Sequence, residues 1–181
     1  MSIDDRVYRN QTYIAADWDG DWDAIEQLKK WNECDRWSLN FYDVHELTQS
    51  RDSSQNCSIK ASLAKRMRIT KKFVLVVGDG TKSRRAGSCQ YCLYQSNGVC
   101  AHGNYYDHRS YIEYECDQAY SDWLHNKLDI VVLYNSTSVD KDKCPLLFKN
   151  LNVTHVAMKK FNFNTWREEW DYAAVKKAIN G

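Results

Sequence analysis

No stretch of this chain is long and apolar enough to span a bilayer as a helix. The longest plainly apolar run is FVLVV at 73–77, against the roughly 20 residues that a spanning helix needs. The opening residues, MSIDDRVYRNQ, lack the basic and apolar regions of a secretion signal, so the expectation is a cytoplasmic protein with no membrane partner. Net charge is nearly absent too. Twenty-five Lys and Arg against 24 Asp and Glu leave a formal charge of +1, which gives no global electrostatic reason to expect nucleic acid. Internal repeats and low-complexity tracts are missing. Seven cysteines cannot all pair with one another, and in a reducing compartment metal binding or burial is their expected use. What remains is an ordinary globular composition, 43% hydrophobic and 27% charged over 181 residues. One domain of that length buries roughly 70% of its unfolded surface and needs no staple.

Short apolar runs alternate with helical patterns, which predicts α/β architecture. Strands are expected at 12–16 (TYIAA), 38–44, 72–80 (KFVLVVGDG), 128–135 (LDIVVLYN) and 151–158. Helices are expected at 21–32, with Asp23 and Glu26 as a capping box, at 58–69, and from Ser110, whose capping box is completed by Glu113. A last helix over 165–179 would be capped by Thr165 and Glu168. Residues 45–56 read as a long polar loop, and 136–150 as irregular. The order fits a doubly wound sheet of about five strands. With strand order 2-1-3-4-5, the ligand crevice falls between the loops at 17–21 and 78–85.

On the helix that follows Ser110, Ile112, Cys116, Ala119, Tyr120 and Trp123 form one apolar arc, with Tyr111 at its edge. Glu115 falls inside that arc. A carboxylate there is partly desolvated, and its pKa or its charge can serve a bound substrate. Residues 81–109 show neither helical nor strand periodicity and hold Cys89, Cys92, Cys100 and His102, a C-x2-C followed by C-x-H. That set can complete a tetrahedral structural zinc site, with His108 able to replace His102. A Cys89–Cys100 disulfide, or plain burial among Tyr91, Tyr94, Tyr105 and Tyr106, are the alternatives. Cys34, Cys57, Cys116 and Cys144 are scattered and read as core residues.

The strand ending in glycine, the GTKSRR loop, the YIEYECDQA helix and IVVLY, together with YIAADWDGDWD near the start, resemble the TIR-like domains of Thoeris-type antiphage defence. The likeness spans roughly residues 8–135. It implies a flavodoxin-like TIR fold over 1–181, from which the cysteine-rich insertion at 81–109 after the third strand departs, since the family's usual connection there is short. It also implies cleavage of the nicotinamide–ribose bond of NAD to make a nucleotide signal, with Glu115 at the position of the catalytic glutamate. From their position on the two crevice loops, Asp17, Trp18 and Asp19 are expected to line the ribose and nicotinamide pocket and Thr81 and Lys82 to meet phosphates, with Tyr111 a further substrate-binding residue. Self-association or an activating partner, and an effector that reads the product, are the further partners it implies.

Competing motifs are weaker. GDGTKS has Thr81 where a phosphate loop needs glycine, and a calcium loop read through DWDGDWD has Trp22 at the obligatory glycine. Asp-x-Asp after the first strand also suits a metal-dependent phosphatase, for which DKDK at 140–143 is the nearest completing segment. A non-catalytic TIR-like interaction module, with Glu115 paired to a basic neighbour, is the other alternative.

Overall fold

The computed structural model describes residues 9–34, 36, 39, 41, 55–100, 103 and 105–181. Strand β1 (Gln11–Ala15) leads to helix α1 (Trp22–Glu33), and helix α2 (Asn56–Met67) to β2 (Thr70–Val77). A long connection with a 3-10 turn (Cys89–Tyr91) and the two-residue strands β3 (Gln95–Ser96) and β4 (Val99–Cys100) precedes α3 (Tyr111–Leu124). Then come β5 (Asp129–Tyr134), α4 (Leu146–Lys149), β6 (Thr154–Ala157), the hairpin β7 (Lys159–Asn162) and β8 (Arg167–Trp170), and α5 (Tyr172–Asn180).

The central sheet is parallel, in the order β1-β2-β5-β6, and fits a flavodoxin-like fold. These are the first, third, fourth and fifth expected strands, in the expected order. Of the expected strand at 38–44, only Leu39 and Phe41 lie within the described residues. Both are buried, and Asn32 bonds the Phe41 backbone from both ends of its amide, at 2.9 and 3.0 Å. The polar loop expected at 45–56 lies outside the described residues but for Gln55 and Asn56.

Alternation along each strand divides the core in two. Tyr13, Phe73, Leu75 and Val132 face α2 and α3, while Ile14, Val74, Val76 and Val131 face α1 and α5. Phe148 of α4 is fully buried against Phe73, ring centroids 5.9 Å apart. Phe148→Ala is therefore expected to cost about 3–5 kcal/mol, measured by denaturant unfolding; a loss below about 1 kcal/mol would mean that α4 collapses into the space.

Two expected helix starts are corrected. Helix α1 is preceded by Asp21, and Asp23 bonds Asn135 and Lys159 instead of capping. The helix expected over 165–179 begins only at Tyr172, capped by Asp171, whose side chain accepts from the Ala174 N–H. Thr165 and Glu168 belong to the β7–β8 hairpin, because Trp166, Glu168 and Trp170 alternate with Arg167 and Glu169 at the period of a strand. The α3 box is present in full: Glu113 N–H donates to Ser110 Oγ at 3.1 Å, and Ser110 N–H to Glu113 Oε2 at 2.7 Å. Among the described residues no helix is long and apolar enough to cross a membrane.

Candidate functional site

A crevice of about 140 Å³ opens at the carboxyl ends of β1, β2 and β5, the end of the sheet at which parallel α/β folds bind ligands. Its lining includes Gly20, Asp21, Gly78, Asp79, Asn135 and Lys143. That volume is below the roughly 300–1,000 Å³ of pockets that enclose whole drug-sized ligands. In this form it admits a fragment of a dinucleotide, not all of one.

Asp21 forms the floor. Its carboxyl is buried and accepts from Asn135 Nδ2 at 3.1 Å, while the Thr81 hydroxyl lies 3.5 Å away. Burial raises its pKa, Asn135 partly offsets this, and the charges of Asp17 and Asp23 push it further up. A methyl group at Gly78 would fall on the Asp21 carboxylate, which is pinned by these neighbours. Gly78→Ala is accordingly expected to cost about 1–3 kcal/mol, read as a lower melting temperature; an unchanged value would show that Asp21 swings aside freely.

The residues expected from sequence are placed as follows. Asp17 is buried and pairs with Arg84 at 3.0 Å, and the same guanidinium binds exposed Asp19. Trp18 lies under the ammonium of Lys29, 5.4 Å from the ring centroid. Thr81 is buried, with its hydroxyl accepting from Gly78 N–H at 2.8 Å. Lys82 reaches the carbonyl of Asp142 at 3.2 Å on the surface. The hydroxyl of Tyr111 donates to Asn56 at 2.8 Å, and burial pushes its pKa up to about 12.

Glu115 is not among the residues lining the crevice. Its side chain lies on the α2–α3 side of the sheet, only 4% exposed, and accepts a short hydrogen bond from the Tyr13 hydroxyl of β1. Burial raises its pKa to about 7, against the opposing pull of Tyr13 and of Arg66 on α2. The carboxyl is thus buried more deeply than the helix arc implies, and is half ionised near neutral pH. Such a group can present either a proton or a negative charge to a ligand that reaches it.

Cys89, Cys92 and Cys100 form no disulfide among the described residues, Cys89 being buried and the other two half-buried. Among the described residues no three His, Cys, Asp or Glu side chains gather to hold a metal ion, and His102 lies outside those residues. His108 packs edge-on against Tyr106 at 4.8 Å. Cys116 and Cys144 are buried as expected, whereas Cys34 and Cys57 are half-buried.

Sequence reasoning passed over Tyr13, Asp21 and Asn135. The folded chain brings three glycines against the carboxylates there, Gly78 against Asp21 and Gly20 and Gly80 against Asp17. No curated protein matches the chain. The matched region stops short of Tyr111, Glu115 and most of the cysteines: the family model for the TIR-like domain of Thoeris protein ThsB matches residues 13–87, so the chain is similar to that family from β1 through β2 and the loop after it.

Proposed function

We propose that the chain is a TIR-like domain of Thoeris-type antiphage defence signalling that cleaves the bond between nicotinamide and ribose in NAD. The observation that carries this reading is the buried Glu115 carboxyl, held by Tyr13 from within the matched segment and poised near neutral pH. Breaking an N-glycosidic bond builds positive charge on the sugar, and a fixed carboxylate in a low-dielectric setting stabilises that charge. Nicotinamide leaves as a neutral molecule from a cationic precursor, so no second acid is needed. The crevice at Asp21 takes part of the substrate, and self-association or a partner widens access to Glu115. The nucleotide product then passes to an effector.

Incubating the protein with NAD and following free nicotinamide by chromatography tests this. Release, with ADP-ribose or a cyclised form as co-product, is the expected result, and intact NAD at high protein concentration and across assembled states contradicts it.

One observation favours a second reading. Full burial of Glu115 against a hydroxyl is also what a purely structural residue shows, which suits a non-catalytic interaction module. Phosphoryl transfer gains no such support. Lys143 does line the crevice, but Arg84 occupies both Asp17 and Asp19, where that chemistry needs a metal.

A further inference from the structure

The β7–β8 hairpin has two unlike faces. Its antiparallel register sets Phe161 opposite Glu168 and Lys159 opposite Trp170, so these four side chains share one face. Lys160, Asn162, Arg167 and Glu169 share the other. The first face is aromatic from base to tip. At the base Trp170 meets Trp31 of the core edge-on at 6.2 Å. Further out, the Phe161 ring meets Phe163 at 5.1 Å and 73°, and Trp166 at 6.1 Å and 83°. These three rings are left in water, 40%, 75% and 76% exposed.

The tip is held in shape. Asn162 Oδ1 accepts from the N–H groups of Asn164 and Thr165 at 2.8 and 3.3 Å, and the Asn162 amide and Thr165 hydroxyl both donate to Glu169. Trp166 has a φ of +52°, in the left-handed region where a bulky L-residue is strained. Glycine would relieve that strain but carries no indole. An exposed ring kept at a backbone cost points to a use for the ring.

We propose that this tip recognises a lysine or arginine side chain presented by a partner polypeptide. Two rings stand steeply against a third, and aromatic faces carry the negative potential that attracts cations. Glu168 adds a full negative charge on the same face, and among the described residues no lysine or arginine pairs with it. Lys159 is committed to Asp23 at 3.1 Å and to the Trp170 ring at 4.5 Å. Small-molecule sites enclose most of their ligand, and a projecting tip cannot, so the cation arrives on a larger molecule. Two-fold pairing with the axis through the middle of the stripe would set Glu168 against its own like charge.

The test is an NMR titration of the full chain with the peptide acetyl-Gly-Lys-Arg-Lys-Gly-amide and with its Glu-Asp-Glu counterpart. Saturable shifts of the Trp166 indole and the Phe161 and Phe163 rings are expected with the basic peptide alone. Trp166→Gly is expected to weaken binding by about tenfold without lowering the melting temperature, and Glu168→Gln by about threefold. Equal shifts with both peptides, undiminished binding by Trp166→Gly, or concentration-dependent self-association through the same rings would each overturn the proposal.

Discussion

Glu115→Gln is expected to become more stable relative to the wild type as the pH rises. Glu115 titrates at about 7 in the folded protein against an ordinary 4.5. The folded state therefore binds its proton more tightly than the unfolded chain does. Its contribution to stability is full below about pH 4.5, shrinks as pH rises, and is gone above about pH 7. At 1.36 kcal/mol per pH unit, the whole effect is about 3 kcal/mol. Glutamine has the same shape, still accepts from Tyr13, and does not titrate. Between pH 5 and 8.5, where most of that effect falls, the melting temperature of the variant should therefore gain roughly 5–10 °C on the wild type, at about 2–4 °C per kcal/mol for this size. Asp21, also raised, and His155, which is lowered, contribute with opposite signs but are common to both proteins. Parallel melting curves across that range would mean that position 115 carries no strained charge.

Asp107→Asn should produce the other large effect, a loss of about 3 kcal/mol from leaving the buried Lys60 ammonium without its half-buried counter-charge. Asp107 anchors the connection before α3. It binds Lys60 of α2 at 3.2 Å, and it accepts from Arg109 through the backbone N–H, Nε and the terminal nitrogen at 2.9–3.0 Å. The Asp107 backbone carbonyl also takes the Cys89 N–H at 2.9 Å. Arg109 and Lys60 hold its carboxyl at about 2 despite burial. Its stabilising effect is thus present above about 3.8 and lost as pH falls toward 2. The asparagine leaves the buried Lys60 ammonium with the Arg109 carbonyl at 2.6 Å and the face of Tyr114, but no counter-charge. Thermal unfolding at pH 7 should show a drop of roughly 6–12 °C. A drop under about 2 °C would show that Asp117, which also binds Arg109, carries the junction alone.

These residues also mark what a linear reading reaches. β2 and β5 are continuous apolar runs bounded by polar or glycine residues, and a central parallel strand covered on both faces has no other pattern. Ser110 and Glu113 are three residues apart, so their box is local and visible. The crevice position follows from strand order alone. The hairpin after β6 is hidden in sequence because WREEWDYAAVKKAI mixes two periods, and the helical one is longer. Asp171, not Thr165, is the side chain that reaches a free N–H. The partners of the site lie far along the chain: Tyr13 is 102 residues from Glu115, and Asn135 is 114 from Asp21. No spacing rule connects such pairs, since only the packed sheet brings them together. The helix arc did show that Glu115 is turned inward, but not that a β1 tyrosine meets it.

The most direct test is the rate of nicotinamide release from NAD by wild type and Glu115→Gln between pH 5.5 and 8.5, with folding checked at each point. An ionised carboxylate is the form that stabilises a cationic sugar. Wild-type turnover should therefore climb through about pH 7 as Glu115 loses its proton, while the fully folded glutamine variant releases nicotinamide at least about 100-fold more slowly. Equal rates for the two folded proteins would contradict the catalytic role of that carboxylate.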